Sequence, residues 1–142
     1  MAGVAQRRFD DAEALCNTND NARANGAAYL LGFVLEILLK ARLVAKYPTT
    51  ARKRQHEVLT DEQGIWILIW RQHDLAAMLD QLPEIEAALA KRYERDPVNH
   101  REALKMLCAT WTIQARYSPH QISNAEAREM LEHVRPLKEL LR

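Results

Sequence analysis

The chain has 142 residues, with 20 Lys or Arg against 19 Asp or Glu, and the resulting formal charge of +1 excludes a global field that would draw it onto nucleic acid or an anionic membrane. Four Gly and five Pro amid many Ala, Leu, Glu, Arg and Lys favour helices and short connections over a sheet. Cys16 and Cys108 are too few for a disulfide framework and have no neighbouring cysteine at metal-ligand spacing, which fits two buried thiols in a reducing cytoplasm.

The basic N-terminus lacks an apolar stretch behind it, so no secretory signal is expected. Ala5, Phe9, Ala12 and Cys16 make an i, i+4, i+7, i+11 stripe, predicting a short first helix that ends in the Asn17–Asn21 cluster. Those polar residues then cap a second helix from about Ala22 to Tyr47, stopped by Pro48. Between Gly26 and Leu43 its apolar residues surround the whole helix, so it should lie centrally in a bundle. Tyr29, Gly32, Glu36 and Lys40 share one line of it, a small gap and a charge pair amid hydrocarbon. That stretch is interrupted by charge and too short to span a bilayer.

Residues 49–64 read as a mobile polar connection carrying the basic cluster Arg52-Lys53-Arg54-Gln55-His56. Ile65–Trp70 has strand-like composition, but with no partner strand in sight it is assigned to a buried helical segment. A helix is expected from His73 to Leu82, another from Glu84 to Arg95 after Pro83, and a third beginning near Pro97 and reaching about Tyr117, with His100, Leu104, Leu107 and Trp111 on one face. Ser123-x-x-Glu126 is a capping-box signature opening the last helix, whose stripe is Ala127, Met130, Leu131, Val134 and Leu141, and which Pro136 should kink. The expectation is one all-α domain over residues 1–142.

Familiar catalytic signatures are missing from the chain: it has no Gly-rich phosphate loop, zinc-binding His-Glu-x-x-His or Gly-x-Ser-x-Gly turn. What remains is three Arg/His pairs, Arg71 with His73, Arg95 with His100 and Arg116 with His120. Metal-free RNA cleavage needs a base for the 2′-hydroxyl and a cation for the phosphate, tasks suited to His and Arg.

Three features resemble the HEPN superfamily of helical domains, the higher-eukaryote and prokaryote nucleotide-binding group. Residues 27–43 have its small-residue, Tyr-Leu-x-Gly and Glu-x-x-x-Lys character; His73-Asp74-Leu75 with Leu79 resembles its His-x-Leu helix; Ala115-Arg116-Tyr117 resembles its late Arg-Tyr element. The resemblance implies an up-down antiparallel helical bundle, a homodimer, and either a metal-independent endoribonuclease of a toxin–antitoxin or defence system or a non-catalytic partner of a nucleotidyltransferase or antitoxin. Active members place an Arg-x4-6-His motif from both subunits around one cleft. Arg116-Tyr-Ser-Pro-His120 stands where that motif is expected, with three intervening residues; Arg95-Asp-Pro-Val-Asn-His100 has the spacing but precedes the penultimate helix. On this reading Arg116 holds the scissile phosphate, His120 is base or acid, and Tyr117 and Glu36 position them, with Arg95 and His100 as further substrate contacts. RNA or a nucleotide is the ligand, no cofactor or metal is required, and no membrane is involved.

Each feature also has a structural reading. Glu36 is expected to anchor the bundle by accepting hydrogen bonds from Arg or Tyr on a neighbouring helix, since an unpaired buried charge is expensive. His73 is expected to hydrogen-bond across the core, His56 and His133 to lie on the surface, and Trp66, Trp70 and Trp111 to pack in the core or a dimer contact rather than stack on bases.

Overall fold

A computed structural model describes residues 1–92, 94–95, 99–111 and 121–141, and among these lie eight α-helices and no strand. Helix α1 (Ala2–Asn17) buries Ala5, Phe9, Ala12 and Cys16, the stripe that its sequence spacing predicts. Two residues past its end, Asn19 has a φ of 54°, in the left-handed region that asparagine tolerates. The Asp20 side chain then accepts from the Ala22 amide and opens a 3-10 turn over Asn21–Arg23. This turn runs straight into α2 (Ala24–Lys46), two residues later than the expected start.

Helix α2 is the hub of the bundle. Leu31, Val34, Leu35, Leu38, Leu39 and Leu43 are buried on its several sides, and it packs against α1, the last helix, and the short helices between them. A helix apolar all round can hide its surface only by being enclosed in this way.

The connection after α2 departs from the expected mobile loop. Pro48 opens a short helix, α3 (Pro48–Arg52), with Thr50 and Ala51 buried, and a second 3-10 turn covers Gln55–Glu57. Helix α4 (Gln63–Trp70), where the strand-like hexapeptide is indeed helical, holds that connection down. Its Trp66 and Trp70 indole N–H groups donate to the Lys53 and Ala51 carbonyls at 3.0 and 3.2 Å, while Lys53 and Glu62 form a 2.6 Å ion pair.

Helix α5 (Leu75–Asp80) begins two residues beyond His73, because the Asp74 side chain caps it through the Ala77 amide at 2.9 Å. Helices α6 (Pro83–Arg92) and α7 (His100–Thr110) follow, the second capped by Asn99 and closed by the buried Trp111. Helix α8 (Asn124–Leu141) starts with the predicted capping box, Ser123 and Glu126 exchanging side-chain and backbone bonds at 2.6 and 3.1 Å. It continues past Pro136 to Leu141, where Arg42 of α2 donates to the last carbonyls, Leu140 and Leu141, at 2.8 and 3.0 Å. One buried cluster draws side chains from all eight helices, and both cysteines are buried free thiols. No helix among the described residues is long and apolar enough to cross a membrane.

Because α2 is enclosed, Leu39→Ala, at a fully buried position, should lower the unfolding free energy by about 3 kcal/mol. Leu59→Ala, at a position 60% exposed, should change it by less than about 0.5 kcal/mol. Urea titration of the two variants measures the contrast, and equal effects would deny α2 its central place.

Candidate functional site

The line Tyr29, Gly32, Glu36 and Lys40 on α2 is met by two later segments of the chain. The turn entering α5 brings His73 to Glu36, and the end of α7 lays Trp111 over Gly32. A β-carbon at Gly32 would come within 2.2 Å of the Trp111 ring, so the absent side chain is what allows the indole to lie directly on the helix. Tyr29 completes the contact, its ring 5.6 Å from that of Trp111 and tilted by 56°.

One turn further along, Glu36 Oε1 accepts from Lys40 Nζ at 2.9 Å and lies 2.7 Å from His73 Nδ1. The Glu36 side chain is 3% exposed and that of His73 39%. Its second oxygen, Oε2, is buried with no hydrogen-bond partner among the described residues. In the neutral ring, a carboxylate accepting from Nδ1 places the proton on that nitrogen and leaves the lone pair on Nε2. Nε2 makes no hydrogen bond to a described residue. The sequence expected Glu36 to be held by Arg or Tyr; its described partners are instead Lys40 and His73. His73 does bond across the core, as anticipated, but from the turn before α5.

His73 stands on the wall of an open cleft of about 320 Å³, with Arg71, Gln72, Asp74, Cys108 and Trp111 around it. Of the three Arg/His pairs in the sequence, Arg71 with His73 is therefore brought to one cavity. The Cys108 thiol is pushed up to about 12, by burial first and then by the negative charge of Asp74. At neutral pH it is a protonated apolar wall and not a nucleophile. Among the described residues no group of three or more His, Cys, Asp or Glu is placed to hold a metal ion.

Arg116, Tyr117 and His120 lie outside the described residues. Arg95 is exposed beyond α6, whereas His100 is buried at the start of α7. The His100 ring sits 5.8 Å from that of His133 in an edge-on contact, and neither Arg95 nor His100 lines the cleft. His133 is half-buried, its side chain 22% exposed, while His56 is exposed at 74%. Trp66 and Trp111 are buried, but Trp70 is 48% exposed and does not belong to the core. The contribution of Trp111 to the site escaped the sequence reading; its one trace was Gly32, a gap on an otherwise bulky helix.

Compared with known proteins, the chain matches no family model, no curated protein and no solved structure.

Gly32→Ala gains about 1 kcal/mol of helix propensity but forces the Trp111 ring aside, an overpacking cost of about 1–3 kcal/mol. The expected result is a net loss of stability with an altered near-ultraviolet circular dichroism spectrum; a stabilised variant with an unchanged spectrum would contradict the contact. The Cys108 thiol, raised from an ordinary value of 9.0, binds its proton more tightly folded than unfolded. Its contribution is thus complete below pH 9 and is lost as pH climbs toward 12. Stability of the wild type should fall over that range, and Cys108→Ala should reduce the slope in chemical denaturation at pH 8, 9.5 and 11.

Proposed function

We propose that the chain is a HEPN-like, up-down helical domain that works as a cytoplasmic homodimer, binds RNA or a nucleotide, and cleaves RNA without a metal ion. The observation that carries this reading is His73, held through Nδ1 by the buried Glu36 and standing in an open cleft whose wall includes Arg71. In RNA cleavage Nε2 takes the proton of the 2′-hydroxyl, whose oxygen attacks phosphorus. The bond to the 5′-oxygen breaks, and that oxygen receives a proton from a general acid, the role assigned to His120. The guanidinium groups of Arg71 and Arg116 hold the non-bridging oxygens as charge grows. Products are a 2′,3′-cyclic phosphate and a 5′-hydroxyl.

Glu36 acts through His73, fixing its tautomer and direction, and Lys40 balances the carboxylate charge. Arg95 and His100, which do not line the cleft, have no step in this scheme. A second reading, a non-catalytic module that docks on a nucleotidyltransferase or antitoxin, draws on Met106, which is 68% exposed on α7.

Wild-type protein incubated with single-stranded RNA in chelator should generate cyclic phosphate ends. His73→Gln should slow cleavage by at least about 100-fold, within the range of a lost general base. Glu36→Gln should lower the rate, while circular dichroism remains native. Arg116→Ala and His120→Ala test the late motif in the same assay. Wild type that leaves RNA intact and binds no nucleotide overturns the reading, and cleavage indifferent to His73→Gln removes His73 from it.

A further inference from the structure

The basic cluster that reads as a solvated loop is tied to the rim of the cleft. Trp70 Nε1 donates to Ala51 at 3.2 Å, Trp66 Nε1 donates to Lys53 at 3.0 Å, and Arg71 Nη2 donates to Gln55 Oε1 at 3.1 Å. Residues 51–55 therefore run along the C-terminal turn of α4, immediately before the segment that carries Arg71 and His73 into the cavity. Arg52, Arg54, Trp70 and Arg71 are all exposed on this stretch. Among the described residues, none of the three arginines is in an ion pair. Two of the neighbouring acids are engaged: Glu62 is paired with Lys53 at 2.6 Å, which holds its carboxyl below the usual range, and Glu57 accepts from the Arg54 amide at 2.9 Å.

A tryptophan 48% exposed, near guanidinium groups that form no ion pair among the described residues, is the pattern used to hold single-stranded nucleic acid. In such a site arginines meet successive phosphates, and an indole anchored by its own N–H, as that of Trp70 is, offers a rigid surface to one base. In a chain of charge +1, such a local concentration is the means of attracting a polyanion without a global field. We infer that Arg52, Arg54 and Trp70 form a subsite for single-stranded RNA next to the cleft, gripping the nucleotides that flank the one at His73. This rests on the RNA reading of the cleft and extends it to a preference for unpaired strands.

The test uses a fluorescein-labelled 12-mer of 2′-O-methyl uridine, which cannot be cleaved because its 2′-oxygen is blocked, with binding followed by fluorescence anisotropy. The double variant Arg52→Ala/Arg54→Ala should weaken binding about tenfold and lower the salt slope by about 1.4, the value for two lost phosphate contacts on a single strand. Trp70→Ala should weaken binding further, Trp70→Phe should restore much of it, and the oligonucleotide should quench tryptophan emission in wild type but much less in Trp70→Phe. A duplex of the same length should bind more weakly. Wild-type binding that is unchanged in the double variant and in Trp70→Ala, or a duplex bound as tightly as the single strand, overturns the subsite and leaves the RNA reading of the cleft standing. Failure of wild type to bind the 12-mer at all overturns both.

Discussion

A carboxylate with 3% of its side chain exposed, in the middle of the long apolar helix α2, needs compensation that hydrocarbon does not supply. Glu36 obtains it from its own helix, through Lys40 one turn later, and from the turn before α5, through His73. Both converge on one oxygen. Lys40 is a tether that any isolated helix could form, but His73 lies 37 residues away, so its bond fixes where α5 enters the bundle. The charge that costs most to bury is thus the one that specifies how a later segment docks.

From that constraint the neighbouring geometry follows. Asp74, next to His73, caps α5 and sets its first turn, so capping and docking are settled by consecutive residues. Gly32 lies one turn before Glu36, and its missing side chain admits Trp111 from the end of α7. The cleft is the space left between these two visitors to α2. Its polar members stand on turns and helix ends, while the helices behind them supply the rigidity. Cys108 and Trp111 give it an apolar wall on one side, and Arg71 a cationic one on the other.

Local chemistry was well written in the sequence. The Ala5, Phe9, Ala12, Cys16 stripe and the Ser123/Glu126 capping box each use partners within one or a few turns, and both are present as read. The enclosed character of α2 was equally plain, because a helix with no polar face has few places to go. Errors arose where the partner was remote. Residues 49–64 look loose by composition, and nothing local reveals that two indoles from α4 will satisfy their carbonyls. Trp70 looked buried because its hexapeptide is apolar, yet α4 ends there and its last side chain protrudes. Spacing pointed to Arg116 with His120 and to Arg95 with His100 rather than to Arg71 with His73; among the described residues it is the remote docking of His73 on Glu36 that brings a pair, Arg71 with His73, to the cleft.

Stability and the candidate site rest largely on different elements of this fold. Most of the fully buried core residues belong to α1, α2 and α8, which pack on one another away from the cleft, and Arg42 further binds the end of α8 to α2. The short helices α3 to α5 contribute less burial and are held by directed bonds: indole to carbonyl, lysine to carboxylate, histidine to carboxylate. Directed bonds tolerate small rotations that a packed core does not. The cleft is therefore walled by the directed-bond segment around His73 on one side and by the end of α7 on the other, with α2 behind both. Glu36 sits at the junction, joined to the enclosed helix through its backbone and to the turn before α5 through its Oε1, so the same carboxylate that must be compensated in the core also fixes the direction of the cleft's histidine.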